Sequence, residues 1–247
     1  MRARFEAEGD VIVVTGGASG IGRALACAAA QAGARIVVCD VDVAAMAQLS
    51  DVAGISTRRL DVSDRAGVMA ALGEIERELG RIDGLVCAAA IQPRAAVHEM
   101  APAEWDRVLR VNLDGVVWCY QAAIAGMIAR RRGSIVAFTS GLAHQGWPGA
   151  SAYAASKAAL IAFVKSAAKE IAPHRVRFNL IAPGVIDTPQ YRAANAGADD
   201  ARWRASVGVG QPEDAVGALM FLLSDAATMT ASIISRDFAF PAQDQQP

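Results

Sequence analysis

Short apolar or strand-like blocks recur along the chain at residues 11–14, 36–39, 54–60, 84–88, 134–139 and 175–181. Val11-Ile-Val-Val14 has no polar alternation, the pattern of a strand buried on both faces. Between the blocks lie longer stretches rich in helix formers, at 44–52, 65–79, 102–127, 152–171 and 213–224. Strand and helix in alternation predict a parallel sheet covered by helices on both faces. Short, right-handed connections then give an α/β fold, a doubly wound parallel sheet of about seven strands, the last at 233–240. The 247 residues suffice for one large core and not comfortably two, so 1–247 is read as a single domain. Residues 188–211 fit the alternation least. They are expected to form a lid over a substrate, the plainer alternative being a surface loop with one helical turn. The tail 243–247 is expected to fray.

The first strand runs into Thr15-Gly-Gly-Ala-Ser-Gly-Ile-Gly22 and then into Arg23-Ala-Leu-Ala-Cys-Ala-Ala-Ala-Gln-Ala32, closed by Gly33. Glycines in a strand-to-helix turn let the backbone approach a pyrophosphate, which the positive end of the helix stabilises. Gly16, Ser19, Gly20, Ile21 and Gly22 are the candidate contacts; a turn that serves packing alone is the alternative. The second strand ends at Asp40, an acid placed about 20 residues after the glycines, which suits a ribose diol and repels a 2′-phosphate. No base follows in Val41-Asp-Val43, so the pattern favours NAD over NADP. The competing role for Asp40 is a turn or helix cap.

Tyr153 and Lys157 stand one helical turn apart in Tyr-Ala-Ala-Ser-Lys, with Ser140 upstream. A phenol and an ammonium at i and i+4 share a helix face. The positive charge there is expected to lower the tyrosine pKa and make it a general acid/base for an alcohol or a carbonyl oxygen. Ser140 as a nucleophile is the rival reading; no histidine–acid pair accompanies it at recognisable spacing, and His144 alone is not enough.

These segments resemble the short-chain dehydrogenase/reductase family, and the resemblance runs over nearly the whole chain. It rests on Thr15-Gly16-x-x-x-Gly20-Ile21-Gly22, Asp61-Val62, Asn112 in Val-Asn-Leu-Asp-Gly, Ser140, Tyr153-x-x-x-Lys157, Asn179 in Phe-Asn-Leu-Ile, and Pro183-Gly-Val-Ile-Asp-Thr188. It implies a catalytic tetrad of Asn112, Ser140, Tyr153 and Lys157, with Asn112 supporting a water that links Lys157 to solvent. It also implies that Asp61 and Val62 hold an adenine ring, and that Ala88, Ala89, Pro183, Gly184, Ile186 and Thr188 touch the cofactor. Tyr153 and Lys157 would touch it as well. A homo-oligomer, tetramer or dimer, is implied through the helices at 102–127 and 152–171. Two departures stand out. Cys87-Ala-Ala-Ala90 replaces the family's Asn-Asn-Ala-Gly, and Thr230-Ala231 with Asp237-Phe-Ala239 replaces Thr-Gly followed by Asp-Gly-Gly. Other contacts must therefore hold the sheet at Cys87, and Ala90 adds a methyl near the cofactor path.

The remaining composition narrows the picture. A net charge of −1 gives no electrostatic case for nucleic acid, and Arg130-Arg-Arg132 reads as a helix end. Cys27, Cys39, Cys87 and Cys119 stand singly, as free thiols of a reducing compartment, so a cytoplasmic location is expected. Three histidines show no ligand spacing, and no metal is expected. Residues 1–10 lack the apolar core of a signal peptide. The apolar run 116–129 is shorter than a bilayer span of about 20 residues, so a buried helix and no membrane association are expected. For a small-molecule substrate, Gln92, Arg94, Ser140, His144, Trp147, Tyr191 and Arg192 are the candidates, with Gln145 beside them. Arg94, Arg192, Arg202 and Arg204 could receive a carboxylate, or could be solvated surface charges. The polar set favours a sugar, sugar acid, polyol or hydroxy acid. Trp147 and Trp203 leave a cyclic alcohol or steroid open. An NADPH-type reductase of 3-oxoacyl thioesters and a catalytically silent cofactor sensor are the other readings.

Overall fold

The computed structural model describes residues 4–196 and 208–236. Seven strands make one parallel sheet in the order β3-β2-β1-β4-β5-β6-β7. They are β1 (Val11–Thr15), β2 (Arg35–Asp40), β3 (Ile55–Arg59), β4 (Gly84–Cys87), β5 (Gly133–Phe138), β6 (Val176–Ala182) and β7 (Ile233–Ser235). The six expected strands all form, each end within one residue of its expected place. Every residue of β1, β4 and β5 is buried, as their unbroken apolar runs require. The outer strand β3, which reads Ile-Ser-Thr-Arg-Arg, stays partly wet. Beyond Arg236 the expected extension of β7 to 240, with the Asp237–Ala239 departure, lies outside the described residues.

Alternate strand residues point to opposite layers. Val13, Val37, Leu85, Ile135 and Phe178 face a layer made by α3 (Arg65–Leu79), α5 (Gly115–Arg130) and α7 (Ser151–Ile171). Ile12, Val14, Ile36, Val38 and Val136 face α1 (Gly20–Gln31), α2 (Val43–Ala47) and, in the C-terminal part, Val216–Leu223. The helix expected at 44–52 shortens to α2, because after it the bonds are three-residue turns, Leu49 N to Met46 O and Val52 N to Leu49 O.

The segment 102–127 is not one regular helix. α4 (Pro102–Leu109) passes through a turn of π-helix (Arg110–Asp114) into α5, which continues to Arg130. By length and composition this run, Pro102–Arg130, is apolar enough to cross a bilayer. Here its stripe of Val116, Cys119, Ala123 and Met127 is buried in the domain core, so the apolar character serves helix-on-sheet packing. Arg130–Arg132 are structural ties: Arg130 donates to Glu76 Oε1 and Ile82 O, Arg131 to Pro173 O, and Arg132 to Asp10 Oδ1.

At β4, Cys87 takes the place where the family keeps an asparagine. It is buried beside Cys119 of α5, and the Cys87 thiol together with burial pushes the Cys119 pKa well up. Ala88 N donates to Thr15 O at 2.9 Å, and Cys87 pairs with Thr15 of β1 and Ala137 of β5, which holds β4 there. At Ala231 the backbone takes the left-handed conformation, φ 61°, that a glycine adopts without strain. Its N–H caps Phe178 O, so the pairing of β6 depends on that conformation.

Phe178 also stacks on Tyr120 of α5 at 5.6 Å and meets Phe163 of α7 edge-on at 6.0 Å. Truncation to alanine empties the point where two helices and a strand meet. Phe178→Ala is expected to cost ~3–5 kcal/mol, read as a lower midpoint in urea unfolding.

Candidate active site

β1 and β4 are neighbours in the sheet, but the chains leaving them go to opposite faces. A cavity of about 860 Å³ opens at their C-terminal ends. Gly16 has φ +68°, and a Cβ there would stand 2.5 Å from Ala89 N, so only glycine allows β1 and β4 to close this tightly. Gly22 is equally constrained, since its Cβ would fall 2.3 Å from Gly16 O. Ser19 precedes α1 in an extended conformation without a side-chain cap, and no acid occupies the first turn. The first N–H groups of α1 therefore remain for an anion at the cavity wall.

The residues expected at a cofactor all line this cavity. Gly16, Ser19, Gly20, Ile21 and Gly22 form one wall, with Ala88 and Ala89 against them. Asp40, Asp61 and Val62 lie on the β2–β3 side, where Leu60 N bonds to Asp40 O. Pro183, Gly184, Ile186 and Thr188, from the segment after β6, close it from across, and Gly20 packs toward Thr188. Ala90 also lines it. Asp40 takes the turn-capping role, with its carboxylate at the cavity wall. Its Oδ2 accepts from Ala18 N in the glycine turn at 3.0 Å, and its Oδ1 caps Asp42 N at 3.1 Å. Asp61 Oδ1 accepts from Ser63 N and Oγ and shapes the turn after β3. The open helix terminus, the side-chain-free approach at Gly16 and the acid on the β2 side fit a dinucleotide.

On the β5 side stand Ser140, Tyr153 and Lys157. The loop after β5 is fastened to α7 by Thr139 Oγ1 donating to Lys157 O, and the Ser140 hydroxyl lies in hydrogen-bonding reach of the Tyr153 phenol. Lys157 is buried. Its Nζ donates to Phe138 O at 2.9 Å and sits 5.6 Å from the centre of the Tyr153 ring. The expected lowering of the Tyr153 pKa by Lys157 is not found. Burial pushes the phenol up, and the groups that oppose this are the Ser140 hydrogen bond and the Arg94 guanidinium. The cause is plain in the geometry: the ammonium is turned to the Phe138 carbonyl, and burial lowers its own pKa to about 8.

Asn112 is held by its side chain. It is fully buried on the π turn, with Oδ1 accepting from Ile91 N at 2.8 Å and Nδ2 donating to Ile91 O at 2.9 Å and to Ser156 Oγ at 3.1 Å. Its side chain is thus engaged by Ile91 and Ser156. It joins the loop after β4 to α7 and positions both.

Of the substrate candidates, Gln92, Arg94, Gln145, Trp147 and Tyr191 line the cavity with Ser140. His144 does not. It is exposed on the single turn α6 (Leu142–Gln145), where Leu142 and Gln145 share the inner face. Arg192 is also out of the cavity, because Asp187 holds its guanidinium through two bonds of 2.7 and 2.9 Å. Arg202, Trp203 and Arg204 lie outside the described residues, as does 197–207, the middle of the expected lid. Its first part is a short helix, α8 (Pro189–Ala194), which Thr188 Oγ1 caps at Tyr191 N. Gln190 and Asn195 line the cavity from within the expected lid, and Arg107 and Arg236 do so without having been singled out in sequence. Arg107 comes from α4 and Arg236 from the end of β7, and no local motif marks either.

The short chain dehydrogenase family model matches residues 10–199. A 3-oxoacyl-[acyl-carrier-protein] reductase of Thermotoga maritima is 36% identical over 93% of this chain and 97% of its own. A cis-4-hydroxycyclohexanecarboxylate dehydrogenase of Sinomonas cyclohexanicum is 37% identical over 91% of this chain and 93% of its own. Among solved structures, a protein of Beutenbergia cavernae provisionally described as an NAD(P)-dependent gluconate 5-dehydrogenase, with NADP bound at low occupancy, aligns with a TM-score of 0.88. It is 33% identical and covers 95% of this chain and 98% of its own.

Burial of Lys157 has a measurable signature. With a folded pKa of about 8 against its ordinary 10.5, the unfolded chain binds more protons between those values. Folded stability therefore rises with pH across that window, and the penalty is constant below it. Lys157→Met removes this dependence. Its unfolding free energy, relative to the parent, is expected to be highest at neutral pH and to fall steadily as pH rises toward 10.5 in denaturation at stepped pH.

Proposed function

This chain is a short-chain dehydrogenase/reductase, and we propose that it interconverts a secondary alcohol and a ketone with NAD as the hydride carrier. The observation that carries the reading is one cavity lined by both the Gly16–Gly22 turn and the Ser140, Tyr153, Lys157 set. A nicotinamide cofactor bound there supplies hydride acceptance and return. Tyr153 exchanges the proton with the substrate oxygen, and Ser140 hydrogen-bonds the same oxygen and fixes its place. The Lys157 charge and the Ser140 hydroxyl stabilise alkoxide character, worth roughly 2–4 kcal/mol per preorganised donor. The raised Tyr153 pKa keeps the phenol protonated at neutral pH, the form that delivers a proton to a ketone. Alcohol oxidation needs the phenolate and is favoured by higher pH.

The choice of NAD rests on Asp40. Its carboxylate lines the cavity, is already aimed at the glycine turn, and has Val41 and Asp42 after it in place of a base. A 2′-phosphate would meet that charge unpaired. The same acid argues against the second reading, a 3-oxoacyl thioester reductase of the NADPH type, which the Thermotoga relative's name otherwise favours. The substrate is a hydroxylated or acidic small molecule. Gln92, Arg94, Gln145 and Asn195 make its end of the cavity polar, and two of the similar proteins are named for hydroxy-carboxylates. Half-buried apolar side chains on α5 and α7, among them Trp118, Ile124, Ile128 and Ile161, support homo-oligomer formation through those helices.

Two variants test the assignment. Tyr153→Phe is expected to lower turnover of secondary alcohols, followed by reduced-cofactor absorbance, by about a thousandfold. Its NADH affinity should stay within a few-fold of the parent; a variant that keeps most of its activity shows that another group moves the proton. Asp40→Ala is expected to reduce the ratio of kcat/KM for NAD over NADP by about tenfold or more. An unchanged ratio would remove the argument for NAD.

A further inference from the structure

Arg94 is the cleft arginine without a carboxylate partner among the described residues. Arg107 pairs loosely with Glu104 at 3.9 Å and Arg236 with Asp214 at 3.1 Å. Arg94 has one amide contact, Nη2 to Asn195 Oδ1 at 3.4 Å, and its Nη1 is shut away from solvent with no acceptor at all. The loop that carries it is fastened twice, by the Asn112 side chain on both backbone groups of Ile91 and by Ala95 N donating to Gly149 O just ahead of α7. The described carboxylates that line the cavity, Asp40 and Asp61, both lie on the far, β2–β3 side. A guanidinium that has lost water and gained no counterion is costly to hold, and the cost is recovered when an oxyanion arrives.

We propose that Arg94 receives the carboxylate of the substrate, so that the enzyme selects secondary alcohols that carry a carboxylate within reach of both Arg94 and Tyr153. The proposal rests on the dehydrogenase reading of the cavity. A planar guanidinium with two unfilled N–H on Nη1 and one more on Nη2 matches a carboxylate through two parallel bonds. The long bond to Asn195 leaves it free to turn toward the cavity. Burial draws the Arg94 pKa down and the nearby Tyr153 draws it up, which agrees with a cation that still lacks its partner.

The test is a series of linear hydroxyalkanoates in which the hydroxyl is moved stepwise along the chain, each beside its neutral primary amide. The parent protein is expected to prefer the best acid to its amide by about a hundredfold in kcat/KM, expressed mainly in KM. Arg94→Gln should collapse that ratio to within about tenfold. Asn195→Asp keeps the arginine but gives it an internal carboxylate, and it should lower the ratio too, so the outcome does not depend on one variant folding well. Equal use of acids and amides by the parent, or an unchanged ratio in both variants, overturns the proposal. The two readings fail separately, because the NADH-loaded protein can also be titrated with the matching alkanoates and alkanamides that lack a hydroxyl. A carboxylate preference there that Arg94→Gln abolishes supports Arg94 even if no alcohol is turned over; no preference there overturns it.

Discussion

The backbone of Gly16 lies so close to Ala88 and Ala89 that the space for a single methyl group is missing. Strands β1 and β4 pair side by side through Ile12–Gly84 to Thr15–Cys87, yet the chains beyond them part to opposite faces. The approach at Gly16 closes the floor between the strands while the parting opens the cavity above it. Gly22 against Gly16 O then sets where α1 begins and where its unfilled N–H groups point. Everything placed around the cavity, from Asp40 on one side to Tyr153 on the other, is located relative to that seam.

Burial sets the chemistry of the other wall. A lysine amine taken out of water loses its preference for charge, and a phenol beside it is held in the neutral form. Both shifts work against the folded state when the groups must be charged, so the site is a place where stability is given up for reactivity. The Ser140 hydroxyl and the Arg94 cation partly offset this for Tyr153. The Lys157 ammonium is held instead by the Phe138 carbonyl, at the end of a strand whose residues are all buried.

The sheet was legible because its signal is local: a strand such as Val11–Thr15 or Gly133–Phe138 announces itself by an apolar run between turns. The glycine turn and the Tyr153–Lys157 pair were legible for the same reason, since their spacing is their function. What sequence could not supply was the partner of each polar group. Nothing around Asn112 says that its amide reaches Ile91 and Ser156, and nothing near Arg192 says that Asp187 takes it away from the cavity. His144 was misplaced through helix phase, which a four-residue turn is too short to reveal. Arg236 arrives from a strand at the opposite edge of the sheet, a distance in sequence that no motif spans.

Asn112 binds the loop after β4 and, through Ser156, helix α7 into one block with the π turn it sits on. Tyr153 and Lys157 belong to that block, while Tyr191 and Asn195 approach from a short helix capped by its own Thr188. Arg94, on the loop after β4, shares that block, so only the Tyr191 and Asn195 side of the cavity is carried by a separate element. The roof can exchange residues without disturbing the registration beneath it.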